Sequence, residues 1–512
     1  MLKIVNFFKG KSLSSWALIL SFTAITAVEF SYVLGGLRWL DSFIFLLMPA
    51  FILLIIQLIS NCNTSTKSYC VAFTILVACV VFSFYHLSKI EVGTLGDQYH
   101  ISKTVALSIN NSFFTQLQYG DISREFFISD FVESIWGIFW RWTQWDFVIV
   151  FSQALPIFLL WHQLVRFFQN QKIAQYPALL ATIVVMSLEI LWCQQASPFI
   201  DSIVGILVGI NLLLCYSFLT PPYERRFSYL AGLVFVSSLC VVAKPTGLAV
   251  GLLGLIIAFV LGFRFLDLRG KILLPLVSLP SLIYVIYHQI QVQIQKGSFF
   301  YPYVGGNNKF QFFESYPQLY TPLKFYSWIK DHAYNSKILY VLSSWLSDYR
   351  LDSYITPAPY KRGNGLVFTY VVLTVLVLWI FQCKKNILKN KLWTDPRLFI
   401  FVVIFVYYYS FEGSIDVRFA LGYNILILSW GLVYLWQLLE KWSVGWLRFL
   451  PTMTISLLLL MSVGSYGDGI RGWRFETHII SPLFIQNKIF PQIYDPEMRK
   501  TLIQKLMEEH SV

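Results

Sequence analysis

The sequence predicts an all-α polytopic membrane protein of about thirteen transmembrane helices, with amphipathic juxtamembrane helices in a long first outer loop. Three observations carry that prediction. Of 512 residues, 56% are hydrophobic and only 13% charged, where a soluble globular chain has about a quarter charged. Aromatic residues reach 18%, with 45 Phe, 29 Tyr and 17 Trp, which suits rings placed in lipid and at its interfaces. Mean hydropathy is +0.61, and apolar runs of spanning length recur along the chain; a helix needs about 20 such residues to cross a bilayer. The same composition excludes a disordered chain, a disulfide-rich secreted module and a soluble enzyme of this size. The seven cysteines lie mostly inside apolar runs and none forms a CxxC pair. They read as small buried hydrophobes, with neither a zinc site nor a disulfide framework indicated.

Taken in order, the expected spans are roughly 13–34, 41–60, 69–88, 146–165, 174–193, 201–219, 227–243, 246–263, 272–289, 365–382, 397–411, 418–438 and 449–465. The first run is too long for a cleavable signal peptide, and Glu29 and Tyr32 stand where small residues would mark cleavage. It is expected to remain as a span.

Lysine and arginine in short loops set the orientation. With the N-terminus in the cytoplasm, the inner segments hold eighteen of them and the short outer turns three: Arg38, Lys244 and Arg418. The remaining eighteen lie in three long segments, which translocate largely regardless of charge. The net charge of +12 is therefore mostly topological and gives no argument for nucleic acid. A multi-pass protein of the plasma (inner) membrane is expected, its C-terminus extracytoplasmic.

The long segments 89–145, 290–364 and 466–512 all fall on the outer face, and long loops of this kind usually carry function. Two amphipathic stretches, 99–117 and 124–142, occupy the first, and Trp136, Trp140, Trp142 and Trp145 suit helices lying at the membrane surface. The organisation expected is a transmembrane domain over 1–440 that includes outer loops 89–145 and 290–364. A final span follows over 441–465, then a short extracytoplasmic segment over 466–512.

Charged residues at the membrane edge cost a few kcal/mol each and are functional candidates for that reason. Asp97, in Gly96-Asp97-Gln98-Tyr99-His100, stands where a helical pattern begins; it reads either as an N-cap or as a carboxylate facing substrate. His100, one turn later, reads as an interfacial side chain, an acid/base group or a metal ligand. Lys244 lies in Ala243-Lys244-Pro245-Thr246-Gly247 between two apolar runs. Pro245 and Gly247 break the helix there and put Lys244 at the tip of a tight hairpin. It either snorkels to the headgroups or offers a point charge to a phosphate. Asp201 reads as a helix cap. In Glu412-Gly413-Ser414-Ile415-Asp416-Val417-Arg418, Arg418 either pairs with Asp416 or Glu412 or forks onto an anionic ligand. None of the soluble catalytic motifs is present.

Three segments resemble, in order, motifs of the GT-C membrane glycosyltransferases. The stretch from Arg226 to Val250, with Lys244-Pro245-Thr246-Gly247 between apolar helices, is similar to a recurrent segment of those enzymes. Gly96-Asp97-Gln98-Tyr99-His100 resembles their first outer-loop motif, and Asp416-Val417-Arg418-Phe419-Ala420-Leu421-Gly422-Tyr423 resembles their late Arg-Tyr motif. The resemblance covers roughly 70–440, and the layout is similar to aminoarabinose transferases and protein O-mannosyltransferases. This chain departs from the pattern in placing two extra spans before the Asp97 loop. It also has Gln98 where a second acid is usual, and Phe419 in the late motif.

The resemblance implies a sugar donor linked to a polyprenyl phosphate, a lipid, glycan or protein acceptor, and transfer on the extracytoplasmic face with inversion. Asp97 would be the general base, while Lys244 and Arg418 would hold the donor phosphate. His100, Asp121, Asp130, Asp201 and Asp416 are candidates for acceptor or sugar contacts. No cofactor is required by this reading, a divalent metal remains open, and Gln98 removes the usual acidic pair. Two other readings stand beside it. One is a polytopic transporter or lipid flippase using the same charges as a pathway. The other is a catalytically inactive subunit on a GT-C scaffold.

Overall fold

The computed structural model describes residues 154–188, 200–219, 227–296, 367–368, 370–375, 421–442 and 449–460, together with Val132, Leu191, Phe299 and Val377. Among them every regular element is helical. The helices are α1 (Ala154–Asn170), α2 (Gln175–Met186), α3 (Asp201–Leu219), α4 (Phe227–Ala243), α5 (Pro245–Ile256), α6 (Leu268–Lys296) and α7 (Leu421–Trp442), with α8 over Leu450–Leu460. Among the described residues, three stretches are long and apolar enough to cross a membrane: Ser202–Leu219, Thr246–Phe265 and Leu421–Lys441. The spans expected over 13–34, 41–60, 69–88 and 397–411 lie outside the described residues.

Helix α3 is the hub, with 94% of its spanning window buried inside the bundle. Glycines let neighbours approach it closely, as small residues do between membrane helices, where dispersion replaces the hydrophobic drive. A Cβ added at Gly205 would lie 2.8 Å from Leu421 Cβ, and one at Gly209 would lie 3.0 Å from Ile425 Cδ1. The contacts advance in the same sense on both helices, so α3 and α7 run parallel. On another side of α3, Ser237 donates to Asn211 Oδ1 at 3.0 Å and Tyr229 to the Leu214 carbonyl at 2.8 Å. Here the numbers run in opposite senses. Helix α4 is antiparallel to α3.

Helix α5 folds back on α4 with almost no loop. A Cβ at Gly247 would strike the Cys240 carbonyl oxygen, and one at Gly251 would lie 2.6 Å from that of Ser237. Gly247, Gly251 and Gly254 fall on one face of α5 at helical spacing, and only glycine admits backbone this close. Asn211 then ties the three helices: its Nδ2 donates to the Val250 carbonyl at 2.9 Å while its Oδ1 accepts from Ser237. The amide is fully buried, so leaving it unpaired would cost about 1–3 kcal/mol.

Past Ile256 the helix widens into a π turn over Ile257–Leu261 and tightens into a 3-10 turn over Gly262–Phe265. Gly262 lies under Leu230 and the Phe265 ring sits 6.0 Å from Phe218, which returns the chain to the start of α4. Asp267 opens α6, its carboxylate accepting from the Gly270 amide at 2.8 Å, as an N-cap does. Within α6, Leu268–Leu276 and Ser281–Ile290 are bent by 49°. Pro275 and Pro280 bracket that break, each removing one backbone donor.

Two boundaries differ from expectation. The helix expected over 174–193 closes at Met186, where the Ser187 hydroxyl donates to the Val184 carbonyl at 2.7 Å and its amide to Ile183 at 2.9 Å. The span expected at 146–165, of which 146–153 lie outside the described residues, runs on to Asn170, where a Schellman motif fixes its C-terminal turn. The Ile173 amide donates to Phe168 at 3.1 Å, and that of Lys172, at φ 65°, donates to Gln169 at 2.9 Å.

Candidate functional site

The registers assign an end of the bundle to each helix terminus. Helices α3, α5 and α7 run in one direction and α4 runs against them. The start of α3 at Asp201, the break at Lys244 and the beginning of α7 at Leu421 therefore share one end. Leu421, which packs on Gly205, follows Arg418 by three residues.

Lys244 is the single residue between α4 and α5. Its backbone is extended, at φ −166° and ψ 150°, and Pro245 occupies the first position of α5. The Gly247 amide closes the turn onto the Lys244 carbonyl at 2.9 Å. The hairpin expected from Lys-Pro-Thr-Gly is thus present, with the lysine at its tip. The residue is half-buried. Its backbone is fixed on both sides by tightly packed glycine contacts, so the root of the side chain is held rigidly.

Asp201 was expected to cap a helix. The carbonyl that opens α3 belongs instead to Ile200, which accepts from the Val204 amide at 3.0 Å. Asp201 is the first helical residue, where a carboxylate favours the positive end of the macrodipole. An aliphatic residue holds the cap position.

Asp97, His100, Asp121, Asp130, Asp416 and Arg418 lie outside the described residues. Among the described residues, no three of His, Cys, Asp and Glu gather in a way that could hold a metal ion.

The opposite end is strongly basic. Arg166 and Lys172 lie there with the end of α1, since Arg166 stacks over Tyr229 at 5.7 Å and Phe167 packs on Tyr216 at 5.8 Å. Arg264 lies in the 3-10 turn, Arg269 and Lys271 in the first turn of α6, and Lys441 in the last turn of α7. These six belong to the group the sequence assigns to the inner face.

Sequence reading missed the polar tie at Asn211 and the cap at Asp267. Both leave a signal. An asparagine in an otherwise apolar span four residues before Cys215 needs partners, and Asp-x-x-Gly at the mouth of a helix is a capping pattern. Comparison with protein-family models, curated proteins and solved structures finds no match to this chain.

Proposed function

We propose that this chain is an integral membrane glycosyltransferase of about thirteen spans, acting on a polyprenyl-phosphate sugar at its extracytoplasmic face. The observation that carries the reading is the Lys244 hairpin. Lys244 is held at the end of the bundle where α3 and α7 begin, away from the basic end. A lysine kept at that end against the charge gradient suits an anionic ligand.

In this mechanism Asp97 takes the proton of the acceptor hydroxyl as its oxygen attacks the anomeric carbon. The bond from that carbon to the phosphate oxygen breaks with inversion, and the polyprenyl phosphate leaves with the electron pair. Lys244 and Arg418 offset the charge that grows on it. His100, Asp121, Asp130, Asp201 and Asp416 are the groups available to orient sugar and acceptor hydroxyls.

The test is transfer from radiolabelled polyprenyl-phosphate sugars in proteoliposomes, with Asp97→Asn beside the native protein. Transfer by the native protein that is abolished in the variant supports the reading. No transfer with any donor, or full activity of Asp97→Asn, overturns the assigned chemistry. One observation favours the transporter reading: the 49° bend in α6, since broken helices line pathways in transporters. Uptake or flipping of the labelled lipid without sugar transfer would decide for it.

A further inference from the structure

The segment joining the 3-10 turn to α6 has an unusual surface. Phe265 is 48% exposed and Leu268 75% exposed. Around them stand Arg264 and Arg269, both exposed, and Lys271. None of these three cations is in an ion pair with a described residue. The acid among them, Asp267, is already engaged by the Gly270 amide, so the net surface is positive.

The segment's place in the fold decides what it meets. It follows directly on a stretch that is long and apolar enough to span a membrane, Thr246–Phe265, and it turns into α6. Along α6, Ile272, Leu276, Leu279, Ile283, Ile286 and Ile290 are all exposed, and their spacing of three and four puts them on one side. An apolar side that long suits acyl chains. The basic cluster therefore sits where the acyl region ends and the headgroups begin. Arginine binds phosphate through a planar fork of donors, and an exposed Phe and Leu at the same level suit the upper acyl chains.

We propose that Arg264, Arg269 and Lys271, with Phe265 and Leu268, form a docking surface for anionic glycerophospholipids of the membrane leaflet at this end. The phosphate diester and any acidic headgroup meet the arginines, and the first methylenes of the chains lie against the ring and the leucine. Lipid charge thereby anchors the α5–α6 connection and the bent helix that follows it. The inference needs only a membrane-embedded bundle. It holds whether or not the chain transfers sugars.

The full-length protein in dodecylmaltoside micelles is titrated with phosphatidylglycerol or with phosphatidylcholine, and bound lipid is counted by native mass spectrometry. Phosphatidylglycerol should bind more tightly, and its advantage should shrink at high ionic strength. Each arginine removed should weaken it about fivefold, so that Arg264→Gln with Arg269→Gln loses roughly twentyfold or more. Leu268→Ser should lose a few-fold for both lipids. The pair Arg264→Lys with Arg269→Lys keeps the charge and should retain most of the preference, and its melting temperature in phosphatidylcholine checks that the fold is intact. Equal binding of the two lipids by the native protein overturns the proposal. So does an undiminished preference for phosphatidylglycerol in the double glutamine variant. Saturable capture of an acidic peptide in place of lipid would also overturn it.

Discussion

The two ends of the bundle differ in how charge is held. At one end six cations are spread over three helices and the connections beside them: Arg166, Lys172, Arg264, Arg269, Lys271 and Lys441. At the other, Lys244 stands between two helices, on a turn of one residue. Cations on long side chains at a wet interface cost little and tolerate exchange. A lysine whose backbone is locked by glycine contacts on both sides is a different object. The contrast teaches that the same residue types are held with different rigidity at the two ends, which is what the proposed roles would require of them.

The sharpest way to break the contrast is at the proposed base. Asn caps a helix as well as Asp does but cannot take up a proton. Asp97→Asn should therefore fold normally and lose roughly 10²–10⁴ in transfer rate. Turnover near that of the native protein would leave Asp97 a cap.

Lys244→Met tests the cation at the hairpin tip. The methionine keeps the apolar stem and removes the charge, so the hairpin should survive with an unchanged melting temperature. Loss of a charge-assisted contact in a dry site costs about 1.5–3 kcal/mol, which is roughly ten- to a hundredfold in rate. A matched variant at the other end, Lys441→Met, should leave the rate alone. Equal effects of the two would erase the distinction between the ends.

Between the ends, the comparison depends on α3, α4 and α5 keeping register, and Asn211 is the group that fixes it. Asn211→Leu removes the bonds to Ser237 and Val250 and leaves their oxygens buried. The cost should be about 1–2 kcal/mol, seen as a lower midpoint in thermal unfolding in detergent. Asn211→Leu with Ser237→Ala should recover part of it, because one orphaned hydroxyl is gone. No loss in the single variant would show that the glycine contacts alone hold the register.

Much of the described fold was legible because spans are read from length and apolarity alone. The expected 201–219 and 227–243 coincide with α3 and α4, and 246–263 matches the spanning stretch that begins in α5. The hairpin was legible for the same kind of reason: Pro245 and Gly247 are local signals with a fixed backbone meaning. The end of α2 was not, since Ser187 is followed, apart from Glu189, by apolar residues as far as Cys193. Nor was the bend of α6, where two prolines inside one apolar run count toward hydropathy while they remove donors. The site is only partly legible from either source. Sequence order names Asp97, Lys244 and Arg418 but says nothing of distance. The structure adds only that Lys244, Asp201 and the helix following Arg418 share an end.

The smallest expected effect lies at the basic end, at Lys172. Its φ of 65° places a side chain in the left-handed region that glycine enters freely, at a cost of about 1–2 kcal/mol for other residues. Glycine regains that cost but gives some back through the greater freedom of the unfolded chain. Lys172→Gly should therefore stabilise the α1–α2 turn by about 0.5–1 kcal/mol. Lys172→Ala separates backbone from charge: it removes the cation yet keeps a Cβ, so its stability should stay close to that of the native protein. If alanine stabilised as much as glycine, the gain would come from relieving repulsion among the basic residues, and the turn would hold no strain. If glycine alone stabilises, the lysine is kept at a strained position for its charge. That outcome would fit a residue placed by the inner-face excess of cations, where a single glycine would serve the Schellman turn better.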